Sequence, residues 1–159
     1  MNAIVAVDQN WAIGKEGDQL VYLKEDLKHF CTLTTGHTIV VGRKTLSTFP
    51  GGKPLKGRDN WILSRAADFF VEGARVFGSV EALLKEVPQD VFVVGGSEVY
   101  TALLPWCERV YVTYIEAAFP EADTFFPNLD ALEEWEIEEE GEPLSEAGFT
   151  YRYRTYRRK

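Results

Sequence analysis

Residues 39–45 read IVVGRKT, and residues 92–98 read FVVGGSE. Each stretch has three apolar residues, then glycine, then residues suited to the start of a helix. Strands that are apolar throughout are typical of a parallel sheet covered on both faces. Glycine permits a sharp turn at the strand's carboxyl end, where free backbone N–H groups favour an anion. Neither stretch is a complete GxGxxG or GxxxxGK[ST] motif, so the pair indicates a dinucleotide site only in combination.

The remaining chain continues this alternation of strands and helices. Strand patterns lie at residues 3–7, 38–41, 61–63, 91–94 and 110–115, and helical patterns lie at 24–34, 43–48, 80–85 and 98–104. Residues 135–140 and 149–156 alternate instead, and a turn-rich segment separates them, which predicts an antiparallel C-terminal hairpin. We therefore expect one α/β domain over residues 1–159, with flanking helices and a mixed, mostly parallel sheet.

The composition fits one globular domain. The chain has 159 residues, of which 45% are apolar and 26% charged, and this excludes disordered, collagen-like and coiled-coil classes. No apolar run approaches the roughly 18 residues of a membrane span, and Met1 leads directly into a strand pattern, so we expect a cytoplasmic protein. Cys31 and Cys107 are far apart and indicate neither a disulfide framework nor a zinc site.

The charge distribution is uneven. The net charge of −8 argues against nucleic acid or an anionic membrane surface as the main partner. Residues 36–65 contain six basic residues and one acid, so their net charge is +5 while the rest of the chain carries −13. A basic segment in an acidic protein indicates either a solvated surface or a bound small anion.

Asp26 is the main candidate for chemistry. At 100° per residue it falls inside the apolar arc that Leu23, Leu27 and Phe30 form on the predicted helix. A carboxylate on a buried face is desolvated or meets a donor, and such groups serve as acids, bases or ligand anchors. An acid in a first helical turn also interacts favourably with the helix dipole, but Glu25 already fills that role on the exposed side.

Two loops and two histidines complete the candidates. Residues 51–58 form a basic loop that ends in Arg58, whose guanidinium suits a carboxylate, although a free surface arginine is an equal alternative. Residues 13–18 form a polar loop that could cover a site. His29 and His37 lack metal-ligand spacing, so we predict no metal and a surface or structural role for both.

In their order and spacing, these segments resemble bacterial dihydrofolate reductases. The matching segments lie at residues 4–6, 13–14, 25–27, 30, 41–45, 54–58, 62–65, 94–100, 111–115 and 122–127. The resemblance runs from residue 3 to residue 156, and although each segment is weak alone, the series is specific. It implies an eight-stranded mixed sheet and NADPH-dependent reduction of 7,8-dihydrofolate to tetrahydrofolate, with hydride delivered to C6 and a proton to N5.

The resemblance also implies residue roles for the substrate. Asp26, with Thr113, would anchor the pterin ring and assist protonation of N5, and Arg58 would bind the glutamate carboxylate. The pterin and benzoyl pocket would be lined by Val5, Ala6, Leu27, Phe30, Phe49, Leu55, Val94 and Tyr100.

The basic segment and both glycine junctions would hold NADPH. Arg43, Ser64 and Arg65 would bind the 2′-phosphate, and Lys44 and Thr45 the pyrophosphate. Gly95 and Gly96, which a cis peptide joins in the family, would lie at the nicotinamide end. The predicted cofactor-binding set is completed by Ile13, Gly14, Gly42, Ser97, Glu98 and Val99. Because Glu98 would compete with phosphate for the helix dipole, we expect the pyrophosphate nearer Lys44.

One segment departs from the family pattern. Members commonly have Leu-Pro-Trp in the lid before the catalytic helix, whereas this chain has Gln19, Leu20 and Val21. In the family that indole helps to hold an ordered water near the carboxylate. We therefore expect a lid that closes with altered kinetics and altered proton delivery. The direction of the neighbouring Tyr22 cannot be read from the sequence.

Three alternatives stay open at this point. A pyrimidine reductase of riboflavin synthesis shares the fold and NADPH, but Asp26 together with Arg58 favours a pterin with a carboxylate tail. A non-catalytic nucleotide-binding module would make Asp26 purely structural. An NAD-type Rossmann protein would use Glu116 as the ribose acid, but Arg43 and Arg65 favour a 2′-phosphate. The partner would be a small molecule, and we expect a monomer.

Overall fold

The computed structural model describes residues 1–66 and 69–159. The strands of this part are β1 (Asn2–Val7), β2 (Ala12–Lys15), β3 (Asp18–Gln19), β4 (Thr38–Gly42), β5 (Asp59–Leu63), β6 (Ala74–Phe77), β7 (Phe92–Gly95), β8 (Arg109–Ile115), β9 (Thr124–Phe125), β10 (Trp135–Glu140), β11 (Leu144–Glu146) and β12 (Phe149–Arg158). The α-helices are α1 (Lys24–Thr34), α2 (Arg43–Ser47), α3 (Val80–Leu84) and α4 (Ser97–Leu103). Short 3-10 turns lie at Pro50–Gly52, Leu104–Trp106 and Leu129–Ala131.

The main sheet is mixed and mostly parallel, as predicted. Eight strands follow the order β10-β12-β8-β1-β7-β4-β5-β6, and β11 adds a ninth strand beside β12. The pairs from β8 through β1, β7, β4 and β5 to β6 are parallel, whereas β12 is antiparallel to β8, β10 and β11. Because β1, β4, β5 and β7 run in one direction, their carboxyl ends share one edge of the sheet.

The centre of the sheet is dry. Val7, Val40 and Val93 are fully buried on the three adjacent strands β1, β4 and β7. Such strands are apolar throughout because helices and loops cover both of their faces. The prediction that the apolar strands form a parallel sheet covered on both faces is thereby confirmed.

Ion pairs contribute to the antiparallel pairing of β10 with β12. Glu136 pairs with Arg157 at 2.8 Å, Glu140 pairs with Arg154, and both pairs face each other across β10 and β12. The predicted antiparallel pairing of residues 135–140 with residues 149–156 is confirmed, and opposite charges face each other across it. These pairs are solvent-accessible, so each contributes at most about 1 kcal/mol.

A second, three-stranded sheet was not predicted. It has the order β3-β2-β9, so the segment expected to be a polar loop forms a small hairpin that pairs with β9. Its strands are two to four residues long, too short for a periodicity to be read from sequence. The backbone N–H of Glu16 also donates to Asp123 at 2.9 Å, which fastens the hairpin tip. In the described residues, no helix is long and apolar enough to cross a membrane.

Candidate active site

Asp26 and Thr113 meet beside the central strands. Asp26 lies in the first turn of α1, and Thr113 lies on β8, where it is in register with Ala6 of β1. The Thr113 hydroxyl donates to Asp26 Oδ1 at 2.6 Å. Thr113 is 4% exposed, so this short bond is shielded from water. The sequence prediction that these two residues form a pair is consistent with this contact.

Burial dominates the electrostatics of Asp26. Desolvation raises the pKa of Asp26 above its ordinary value, and the negative charge of Glu146 raises it further. The Thr113 hydrogen bond and nearby His29 act in the opposite direction. Because desolvation is the largest of these effects, the carboxyl group stays protonated to higher pH than an exposed aspartate does. Such a group can exchange a proton with a bound ligand or bind a cationic one.

The apolar face of α1 is only partly buried. Leu23 is 5% exposed, and Phe30 and Leu33 are half-buried, but Leu27 is 62% exposed. The helix pattern placed Leu27 on the buried face, so its exposure differs from that expectation. An exposed leucine next to Asp26 leaves an apolar surface open beside the carboxyl group, as the wall of a ligand cleft requires.

Several predicted substrate residues form one apolar cluster. Phe30, Phe49, Leu55 and Val94 pack around a buried centre of Ile4, Ile39 and Phe92. Val5 and Tyr100 are instead buried in the main core, and Ala6 is half-buried on β1. The structure thus brings four of the predicted lining residues together directly, and it places Val5 and Ala6 on β1, Leu27 on α1 and Tyr100 on α4.

Tyr100 connects the core with two backbone carbonyl groups. Its hydroxyl lies 2.6 Å from the carbonyl oxygens of both Ile4 and Val94, on the neighbouring strands β1 and β7. A single O–H can donate to only one of them at a time, so the other keeps acceptor capacity. Sequence analysis missed Ile4, because a backbone acceptor leaves no signature in the residue type.

Arg58 is preorganised by its surroundings. Its Nε and Nη2 donate to the Lys56 carbonyl at 3.0 and 2.8 Å, and Nη1 donates to the Thr34 hydroxyl at 3.3 Å. The guanidinium also lies 5.9 Å from the centre of the Phe30 ring. An arginine held by local contacts loses little entropy when it binds a carboxylate. The sequence left open whether Arg58 is a free surface arginine or binds a carboxylate. Its guanidinium is fixed by hydrogen bonds to the protein, and carboxylate binding stays a prediction.

The two glycine junctions pack against each other. An added Cβ on Gly42 would lie 3.0 Å from Val99 Cγ2, and one on Gly96 would lie 3.1 Å from Thr45 Oγ1. Gly95 has φ +141°, which L side chains rarely adopt, and the predicted cis peptide joins it to Gly96. The absence of side chains lets the two junctions approach each other this closely, and because Gly42 and Gly96 are only half-buried, the junctions fit a dinucleotide that lies against their backbone.

The predicted phosphate-binding cations lie at the same edge. Arg43 and Lys44 begin α2 after β4, and Arg65 follows the adjacent parallel strand β5; all three are exposed. The Arg43 guanidinium lies 4.3 Å from the centre of the Phe69 ring. Ser64 is buried, and its hydroxyl accepts the Ala66 N–H at 3.3 Å. With α2 only five residues long, side-chain cations supply more positive potential than the helix dipole.

The α4 junction and the lid complete the predicted cofactor-binding set. Glu98 is exposed and Ser97 half-buried at the start of α4. In the lid, Ile13 packs against the main core, and an added Cβ on Gly14 would lie 2.8 Å from the Asp18 carbonyl. Gly14 is therefore explained by hairpin packing as well as by a ligand.

Tyr22 does not replace the absent indole. It is 62% exposed, and its hydroxyl is hydrogen-bonded to Asp18 rather than to Asp26. Val21 packs instead against the buried cluster of Leu23, Ile115 and Tyr151. The segment before α1 thus turns one side chain outward and the other into the core.

The two histidines have local structural contacts. His29 stacks on Tyr153 with 3.9 Å between the ring centres, and His37 pairs with Asp90 at 2.9 Å. Within residues 1–66 and 69–159, no three His, Cys, Asp or Glu side chains are placed to hold a metal ion.

Comparisons with known proteins agree with this geometry. A family model described as dihydrofolate reductase matches residues 1–158. A dihydrofolate reductase of Mycobacterium tuberculosis (strain ATCC 25618 / H37Rv) is 41% identical over 149 residues, which cover 92% of this chain and 90% of the relative. One of Bacillus subtilis (strain 168) is 35% identical over 160 residues, which cover 98% and 93%.

A solved structure is similar over almost the whole fold. It is a dihydrofolate reductase from Enterococcus faecalis complexed with NADP(H) and RAB-propyl, with a TM-score of 0.87 and 36% identity. The match covers 99% of this chain and 95% of the other. Taken with the family match, this likeness shows that the chain belongs to the dihydrofolate reductase family of NADPH-dependent oxidoreductases.

Proposed function

We propose that Asp26 binds the pterin ring of 7,8-dihydrofolate and controls protonation of N5 in the NADPH-dependent reduction to tetrahydrofolate. This assignment rests on the 2.6 Å hydrogen bond that Thr113 donates to Asp26. Asp26 is half-buried, and desolvation raises its pKa. Thr113 engages Oδ1, and among the described residues none donates a hydrogen bond to Oδ2. Oδ2 is therefore available to the pterin amino group.

The chain's own residues perform binding, orientation and proton control. Asp26 holds a proton to higher pH than an exposed carboxyl group, and the apolar cluster around Phe30, Phe49 and Leu55 excludes water from the ring. Arg58 is held in place to bind the glutamate carboxylate. NADPH, when bound, supplies the hydride.

The assignment of the cofactor site rests on charge and close packing. Arg43, Arg65 and Ser64 at the ends of β4 and β5 offer two guanidinium groups and a hydroxyl for the 2′-phosphate. Lys44 and Thr45 lie beside the glycine junctions for the pyrophosphate. Two guanidinium groups favour a phosphate over a bare hydroxyl, so NADPH should be preferred over NADH.

An absorbance assay with dihydrofolate and NADPH tests the proposal directly. We expect turnover with this pair and a marked loss when NADH replaces NADPH. An Arg65→Gln variant should narrow the difference between the two cofactors, with the exposed Arg75→Gln as a charge-matched control. A parent enzyme that turns over a ribityl-phosphate pyrimidine but not dihydrofolate would instead favour the pyrimidine reductase alternative.

Two further properties remain predictions. We propose a cytoplasmic location and a monomeric state, and we expect neither nucleic acid nor membrane as a partner; the net charge of −8 supports the last point. Light scattering coupled to size-exclusion chromatography measures the oligomeric state, and cell fractionation measures the location.

A further inference from the structure

Glu146, 120 residues from Asp26 in the chain, caps the helix that carries Asp26. The residue before α1 is Leu23, whose side chain makes no cap hydrogen bond. Glu146 at the end of β11 reaches this position: its carboxylate accepts the Lys24 N–H at 2.6 Å and the Glu25 N–H at 2.9 Å. Two otherwise unsatisfied donors of the first turn are thereby satisfied by a distant part of the sheet.

The cap works beside one apolar contact: Leu23, the residue before α1, is buried in a cluster with Tyr151 of β12. A groove of about 420 Å³ opens between α1 and the β11–β12 hairpin, and Lys28, His29, Leu144 and Tyr153 are among the residues that line it. The stacking of His29 on Tyr153 bridges the groove. The two hydrogen bonds of Glu146 and the burial of Leu23 together hold the first turn of the helix against the hairpin.

The charge of the cap also acts on the site. A carboxylate at a helix N-terminus offsets the positive end of the helix dipole, and it repels a second carboxylate in the first turn. Both effects disfavour the ionised form of Asp26. Other groups near Asp26 are His29 and Glu25 on its own helix, the uncharged Thr113 on β8, and Tyr151 and Tyr153 on β12. Lys24 and Lys28 face Glu146 and moderate its charge.

We propose that Glu146 is a positioning residue for the catalytic carboxyl group: by accepting the Lys24 and Glu25 N–H groups, it fixes the start of the helix that carries Asp26. The inference rests on the proposed function of Asp26. It assigns to the β11–β12 hairpin a role in the reaction, although no residue of the hairpin need touch substrate.

The test compares Glu146→Gln with Glu142→Gln, which makes the same charge change on an exposed residue of the preceding turn. Glutamine at position 146 keeps one acceptor oxygen for the cap but removes the charge. We expect the pH midpoint of hydride transfer to move to lower pH by about 0.3 to 0.6 unit, with a two- to fourfold lower rate near neutral pH. The Glu142→Gln profile should coincide with that of the parent.

A second variant separates position from charge. Glu146→Ala also removes both acceptors, so we expect an equal or larger pH shift and, in addition, a several-fold higher KM for dihydrofolate. An NMR titration of the Asp26 carboxyl carbon in the ligand-free proteins reports the same shift without turnover. It therefore distinguishes failure of this inference from failure of the proposed function. An Asp26 titration that is the same in the parent and in Glu146→Gln, or a shift that Glu142→Gln reproduces, would overturn the proposal.

Discussion

Asp8 and Asp26 are both withdrawn from water, but the protein holds them in different ways. Asp8, at the end of β1, is fully buried; Oδ1 accepts N–H groups of Asn10 at 2.8 Å and Ala12 at 2.9 Å, and Oδ2 accepts that of Phe119 at 2.8 Å. Asp26 is half-buried and receives one hydroxyl, from Thr113. Within residues 1–66 and 69–159, three backbone N–H groups donate to Asp8, which thereby joins two loops, whereas Thr113 is the one donor to Asp26 and leaves Oδ2 for a ligand.

Burial alone therefore does not distinguish Asp26, the proposed catalytic acid, from the structural Asp8. A buried carboxylate whose lone pairs are used by backbone N–H groups stabilises the fold. One whose lone pairs are only partly used is held in a state that a ligand can complete.

Asp26→Asn tests the proposed catalytic role of Asp26. The amide cannot take part in proton transfer, so we expect turnover near neutral pH to fall by about 10²- to 10⁴-fold. NADPH affinity, measured by fluorescence titration, should stay near that of the parent because the proposed cofactor residues lie on other elements. Near-parental turnover would show that Asp26 is no more catalytic than Asp8.

Asp8→Ala tests the structural role of Asp8. It leaves the buried N–H of Ala12 and the partly buried N–H groups of Asn10 and Phe119 without an acceptor, so we expect the free energy of unfolding to fall by about 2 to 4 kcal/mol, measured by denaturant titration. Asp26→Asn is the matched control. Because desolvation raises the pKa of Asp26 above its value in the unfolded chain, the folded protein loses stability as the pH rises from the unfolded pKa to the raised one, and the loss is complete above it. Asp26→Asn removes this penalty, so the variant should be as stable as the parent or more stable near neutral pH. Equal losses in both variants would remove the distinction.

Thr113→Val removes the hydroxyl that donates to Asp26 and so tests what this hydrogen bond does to the pKa of Asp26. The Thr113 hydrogen bond lowers the pKa of Asp26, so its loss should raise that pKa further. We expect the pH midpoint of hydride transfer to move to higher pH by about 0.5 to 1 unit, opposite in sign to the effect of Glu146→Gln. Thr113→Ser, which keeps the hydroxyl, is the control, and a midpoint that moves to lower pH would contradict the account.

Val21→Trp tests the segment that lies between the two acids. Val21 packs in the same cluster as Phe119, whose N–H binds Asp8, and it precedes the helix of Asp26. An indole there must displace packed side chains, so we expect a change of a few fold in the hydride-transfer rate and a displaced pH–rate profile. A variant that matches the parent in both measurements would show that the altered lid sequence has no kinetic consequence.

Much of the fold could be predicted because its signals are local. The apolar strands at residues 39–41 and 92–94, the glycines after them and the alternation in β12 each depend on a few consecutive residues. The position of Asp26 on the helix follows from the same local geometry. The short strands β2, β3 and β9 could not be predicted, because each is stabilised by its partners and not by its own residue pattern.

Local residue patterns were sufficient to predict the parallel sheet, the glycine junctions at its edge and an acid on the inner side of the first helix. The donors that each acid meets, the exposure of Leu27, the outward direction of Tyr22 and the Glu146 cap of α1 became apparent only in the folded chain. The difference arises from the range of the interactions. Backbone propensities and periodicity act between near neighbours, whereas burial and hydrogen-bond partners depend on residues more than a hundred positions apart, which only the folded chain brings together.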